Sequence, residues 1–141
     1  MKILAIDPGS KEMGFYDGKT WWTETFKGIR AERLGQALKR LERIFAEAKP
    51  DVVVYEEQFH RGKDATKCLV GLAGITEAVA ANSGSAVVYV SNQKIKSWTG
   101  AKTKEAAITW ARTKVRPGTI NEHEADAIAI YYYALENIEV G

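Results

Sequence analysis

Two short apolar runs, each finishing in acid, constrain this chain most. Residues 3–7 read ILAID and residues 51–57 read DVVVYEE. Near-continuous aliphatic runs of this length predict buried strands, the kind found where a sheet is parallel and covered by helices. An ionised carboxylate at the end of such a strand is costly unless hydrogen bonds from the following turn or a cation compensate it. In parallel regions of a sheet, functional groups gather at the carboxyl ends of strands. Asp7 and the Glu56-Glu57 pair stand at two such ends. The pleat separates the two glutamates, with Val52, Val54 and Glu56 on one face and Val53, Tyr55 and Glu57 on the other. Parity alone leaves open which face is the functional one.

The remaining pattern supplies the frame. Residues 13–17 and 20–26 predict a hairpin turning at Asp17-Gly18, with Trp22, Glu24 and Phe26 on one face and Trp21, Thr23 and Thr25 on the other. Leu34, Leu38, Leu41, Phe45 and Ala48 recur at helical spacing over 29–48, with Lys39, Arg40, Glu42, Arg43 and Glu47 facing water, and Pro50 closes that region. Asp64 is a candidate N-cap for a helix reaching about residue 82. Residues 86–90 predict another buried strand. Helices are expected over 94–98, 103–115 and 121–137, with Gly100 between the first two and Trp98 in the core. Hairpin strands first, then alternating strand and helix, predict an α/β fold with a five-stranded mixed sheet flanked by helices. Residues 1–141 are expected to form a single domain.

Bulk properties exclude little but set limits. A net charge of +2 permits a nucleic-acid partner without arguing for one, since the placement of charge decides. Cys68 is the lone cysteine, so no internal disulfide is possible, which suits a reducing compartment. The opening ILAI is too short for a secretory signal, and no stretch approaches the roughly 18 apolar residues of a membrane span. The expected location is cytoplasmic, with no membrane partner.

The third acidic segment is NEHEADAIAI, residues 121–130. His123 and Asp126 are three apart on a predicted helix and therefore project from one side. The helix then turns almost wholly apolar, so its first turn is well placed to meet strand-end acids. Three carboxylates and an imidazole converging without a cation would repel one another and raise their own pKa values. Such an oxygen-rich set suits Mg²⁺ or Mn²⁺. Two such ions about 3.5–4 Å apart can activate water and stabilise the leaving oxygen in phosphodiester cleavage.

Taken in order, IDPGS with Gly14, then EEQF after a buried strand, then HEADAIAI, the sequence resembles the RuvC-type Holliday-junction resolvases over essentially its whole length. The resemblance implies a ribonuclease-H-like fold and the catalytic, metal-ligating set Asp7, Glu56, His123 and Asp126, which selects Glu56 over Glu57. The third of these positions is Asp in some members and His in others. It further implies a homodimer that cuts two opposing strands of a four-way DNA junction with paired symmetric nicks, leaving 5′-phosphate ends, in a bacterial or phage-infected cell. Phe59 matches an aromatic that stacks on a base near the crossover. It lies in a loop with His60, Arg61 and Lys63. The stretch SNQKIKSWTGAKTKEA carries Lys94, Lys96, Lys102 and Lys104, of which Lys96 and Lys104 best match lysines that hold the phosphates near the site. The small residues Gly71, Gly74 and Ala78 mark a helix that the family uses in its dimer interface.

Other readings stay open on the residues alone. DPGSKEMG also resembles the first phosphate loop of actin-like ATPases and sugar kinases, but the chain is too short for their two domains and lacks a later glycine-rich adenosine loop, so no nucleotide cofactor is expected. The set could also serve a ribonuclease-H-like nuclease acting on structured RNA, or a protein that binds junctions without cutting them.

Overall fold

The computed structural model describes residues 1–57, 63–115 and 118–138. The elements run β1 (Ile3–Asp7), β2 (Glu12–Tyr16), β3 (Trp21–Thr25), α1 (Arg30–Ala48), β4 (Val52–Glu57), α2 (Lys63–Ser83), β5 (Ala86–Ser91), α3 (Asn92–Thr99), α4 (Lys104–Arg112) and α5 (Glu122–Asn137). The five strands form one sheet in the order β3-β2-β1-β4-β5. β1 pairs antiparallel with β2 and parallel with β4, and β4 pairs parallel with β5, giving the mixed sheet expected. No helix among the described residues is long and apolar enough to cross a membrane.

Alternation in the strands divides the core. Leu4, Ile6, Met13, Phe15, Val53 and Tyr55 face α1 and α2, where they meet Leu41, Phe45, Cys68 and Leu72. Trp22 covers the edge of this layer by stacking on Phe15, with ring centroids 5.1 Å apart. Ile3, Ala5, Val52 and Val54 face the other way, onto Ala129, Ile130 and Ala134 of α5. A neighbouring cluster joins Tyr16, Ala111, Ile120 and Ile128, which is why α5 is apolar nearly all round: it lies between the sheet and α4.

Several local expectations are corrected. The buried stripe of α1 is Arg33, Ala37, Leu41, Ile44 and Phe45, and Leu38 is exposed, because α1 turns a slightly different face to the sheet. Arg40 does not simply face water. Its guanidinium lies over the Phe26 ring, donates to the Thr25 carbonyl and sits 3.6 Å from Glu24, lapping α1 onto β3. Asp64 is not an N-cap: the helix already includes Lys63, and Asp64 instead ion-pairs with Arg30 at 2.9 Å and Arg33 at 3.3 Å. The helix expected over 103–115 ends at Arg112, capped at its start by Thr103, whose hydroxyl accepts from the Ala106 amide. Trp98 is half-buried, edge-on to Trp110 and Tyr133.

Candidate active site

The parallel register of β1 and β4 pairs Ile3 with Val52 and Ile6 with Tyr55. Continued by one residue, it sets Asp7 beside Glu56. Both point to the α5 side, since Asp7 shares the face of Ile3 and Ala5, and Glu56 that of Val52 and Val54. Both are buried, whereas Glu57 at the next position is exposed on the opposite face. Strand geometry thus makes the choice that parity left open: only Glu56 lies with Asp7.

The start of α5 is brought down onto this pair by three devices. Asn121 caps the helix by accepting from the Glu124 amide, and the Glu124 side chain accepts from the Asn121 amide in return. The same Glu124 accepts from the Thr23 hydroxyl at 3.0 Å, tying the cap to β3. The third device is an absence of bulk. Gly14 pairs with Asp7 across β1 and β2, and a Cβ there would collide with the His123 carbonyl. The sheet therefore admits the first turn of α5 at backbone contact next to Asp7.

His123 consequently sits over the strand-end acids. Its Nδ1 is 3.1 Å from Asp7 Oδ2, in hydrogen-bonding geometry. Its Nε2 lies 3.3 Å from Glu12 Oε2 and 3.7 Å from Glu122 Oε1. Asp126, one turn on, feels the charge of Glu56. Burial, the charge of Asp7 and a hydrogen bond with it push the Glu56 carboxyl up to about 9, against a smaller lowering by Lys96. Burial and the charge of Glu56 push Asp126 up to about 7, partly offset by His123. These carboxyl groups crowd one another in a poorly hydrated space. Among the described residues, no three acids and imidazoles already form a cage around one point; Asp7 is instead engaged with His123 and Glu56.

A cavity of about 230 Å³ opens beside the acids. Its lining includes Glu56, Asp126 and Glu122 together with Lys96, Lys102 and Lys104. Lys104 ion-pairs with Glu122 at 3.1 Å. Lys94 is exposed on the first turn of α3 but does not line this cavity, and Lys63 is exposed at the start of α2. Phe59 and Arg61 lie outside the described residues. On α2, Gly71 meets Leu34 of α1 in the same chain, while Gly74 has open space above it and Ala78 is exposed.

Sequence reasoning missed Glu12 and Glu122 as neighbours of His123. Glu122 could have been found from its place beside His123 on the helix. Glu12 had no local signal, because it reaches the imidazole only through the β1–β2 pairing. The Asn121–Glu124 cap was visible as an Asn-x-x-Glu spacing.

No protein-family model matches the chain. It is 28% identical over 145 residues to the crossover junction endodeoxyribonuclease RuvC of Anaeromyxobacter sp. (strain K), covering 92% of this chain and 78% of that protein. To the RuvC of Caldanaerobacter subterraneus subsp. tengcongensis it is 27% identical over 126 residues, covering 81% and 72%. Among solved structures, T. thermophilus RuvC in complex with Holliday junction substrate superposes with a TM-score of 0.78 at 22% identity, covering 97% of both chains. The yeast mitochondrial Holliday junction resolvase Ydc2 gives 0.60 at 12% identity, covering 95% of this chain and 83% of that one. The fowlpox virus resolvase bound to Holliday junction DNA gives 0.59 at 14%, covering 92% and 97%. In sequence over most of its length and in its ribonuclease-H-like fold, the chain is a homologue of the RuvC crossover junction endodeoxyribonucleases.

Proposed function

We propose that this chain is a metal-dependent, structure-selective endonuclease that resolves four-way DNA junctions by paired symmetric nicks leaving 5′-phosphate ends. The observation that carries the reading is the meeting of Asp7 and Glu56 on adjacent parallel strands, with His123 on Asp7 and Asp126 near Glu56, and a cavity that Glu56 and Asp126 line together with Lys96, Lys102 and Lys104. The names of its relatives, crossover junction endodeoxyribonucleases, support the reaction class.

The donor set fits hard divalent ions. Burial and the charge of neighbouring acids raise the Glu56 and Asp126 carboxyls, against smaller lowering by Lys96 and His123, and a divalent cation would supply the further positive charge that favours their ionised forms. We assign Asp7, Glu56 and Asp126 as the residues that would hold two Mg²⁺ or Mn²⁺ ions, with His123 as the group that would ligate one ion or orient the attacking water. When bound, the ions activate water and stabilise the departing 3′ oxygen. Lys96, Lys102 and Lys104 hold the phosphates of the cut strand; Lys63, Lys94 and Arg61 extend the basic seat, and Phe59 stacks on an unpaired base.

The chain acts as a homodimer, since two symmetric cuts need two sites. Val70, Gly74 and Ala78, four residues apart along α2, form an exposed stripe of small and apolar side chains suited to close helix approach. Gly71 serves the α1 contact within the chain instead.

The test is a four-way junction labelled in turn on each strand and incubated with the protein and Mg²⁺ or Mn²⁺. Cuts at symmetric positions on one opposing pair, with 5′-phosphate ends, are expected. Binding without metal-dependent cutting would make the protein a junction binder. Cleavage confined to structured RNA would move it to another branch of the fold.

A further inference from the structure

His123 has a carboxylate at each ring nitrogen, and only the inner one belongs to the set described above. Asp7 faces Nδ1 from the buried side, and Glu12 faces Nε2 from the solvent side. The Glu12 side chain is 45% exposed, yet its backbone is firmly placed. The residue pairs with Thr25 in the β2–β3 ladder. Its carbonyl also closes against Gly9, where a Cβ would overlap it. The turn that follows Asp7 therefore fixes where the Glu12 carboxylate starts from. Glu122 stands farther from the ring, at 3.7 Å, and is engaged with Lys104.

We propose that Glu12 is a positioning residue for His123, accepting the Nε2–H so that the Nδ1 lone pair is the one turned to the cation side. This rests on the metal-site reading of Asp7, Glu56 and Asp126. A neutral imidazole has one N–H and one lone pair, and the partner of the non-ligating nitrogen decides which is which. Nδ1 is the nitrogen on the Asp7 side. For it to ligate, the ring proton must sit on Nε2, and Glu12 is the nearest acceptor there. Without Glu12 the carboxylate left near Nε2 is Glu122, farther off and engaged with Lys104, so the bias weakens.

The chain has two histidines, His60 and His123, so a His60→Asn background leaves one imidazole to observe. In that background, nitrogen-15 spectra of the Mg²⁺-loaded protein should show the His123 proton on Nε2. Manganese binding, measured without DNA, should weaken about tenfold or more in Glu12→Ala, the usual scale for losing such a partner. Glu12→Gln keeps an acceptor oxygen and should stay within about threefold of the parent, well short of that loss. A proton on Nδ1 in the loaded protein overturns the proposal, as does a Glu12→Ala protein that binds manganese like the parent, or a Glu12→Gln protein as impaired as Glu12→Ala. Should Glu12→Ala fail to fold, the tautomer in the otherwise unaltered protein decides. If the parent takes up no manganese at all, the metal-site reading falls and this inference with it; if the parent binds manganese and cuts junctions while Glu12→Ala does both equally well, only this inference falls.

Discussion

The two faces of the central strands receive the same kind of residue and treat it in opposite ways. On the α5 face, the last residue of β1 and the penultimate residue of β4 are acids, buried side by side under an imidazole. On the α1–α2 face, the corresponding end of β4 is Glu57, exposed to water. Burial of the first pair is tolerable because Lys96 brings positive charge, and His123 a hydrogen-bonding partner, to that side. The difference teaches that adjacency in sequence carries no chemical equivalence in a strand. One residue of offset separates a buried acid from one exposed to water.

The sharpest way to break the comparison is to neutralise acids on each face. Asp7→Asn keeps the shape of the side chain and removes its charge; junction cleavage should fall on the order of a thousandfold, with junction binding retained, since the proposed function assigns binding to the lysines. Glu56→Gln should cost on the order of a hundredfold or more, and Glu57→Gln no more than about twofold. Rates from single-turnover cleavage measure all three. A Glu57→Gln loss equal to that of Glu56→Gln would mean that the face assignment is wrong.

Gly14 tests how closely the α5 face must be approached. In β2, Met13 and Phe15 fill the space toward α1 and α2, while Gly14 leaves its side empty for the His123 backbone. Gly14→Ala must displace a backbone carbonyl rather than a flexible side chain, so a destabilisation of roughly 3 kcal/mol is expected. Denaturant unfolding measures it, and a loss of junction cleavage under folded conditions should accompany it, because His123 moves with that turn.

The crowded acids also give the free protein a characteristic pH response. Glu56 is raised to about 9 and Asp126 to about 7. Across the window between their ordinary values and these, the folded chain keeps protons that the unfolded chain has released, so stability falls as pH rises. The thermal midpoint of the metal-free protein should therefore drop between about pH 5 and about pH 9. Glu56→Gln should flatten the slope and raise stability at the alkaline end by roughly 2 kcal/mol. Added Mg²⁺ should restore more stability at the alkaline end than at the acid end. Glu57→Gln should leave the slope as it is.

Much of this was legible in the sequence because it depends on local pattern. The two apolar runs ending in acid gave β1 and β4, and the spacing of His123 and Asp126 gave the business end of α5. What could not be read depends on pairing between distant segments. Glu12 reaches His123 only once β2 lies against β1, and Gly14 acquires its meaning only when α5 is laid across it. Leu38 was misjudged for a similar reason: helical spacing defines a stripe, but the rotation of α1 against the sheet decides which edge of the stripe is covered. Asp64 looked like a cap because Asp favours that position, yet Arg30 and Arg33 from α1 claim it.

The smallest effect sharpens the comparison on the far side of the sheet, within α2. A Cβ at Gly71 would press on Leu34 at 3.0 Å, whereas a Cβ at Gly74 would meet nothing within 4 Å. In a lone chain, then, Gly74→Ala has only a helix-propensity effect and should stabilise the fold by about 0.5–1 kcal/mol. If the Val70–Gly74–Ala78 stripe is the seam between two copies, the same methyl group holds two helices apart, and self-association should weaken even as the monomer becomes more stable. Sedimentation at several concentrations beside chemical denaturation reads the two effects separately. Tighter or unchanged association with the expected gain in stability would place the dimer contact elsewhere, and the paired cuts would then have to be organised through a different face.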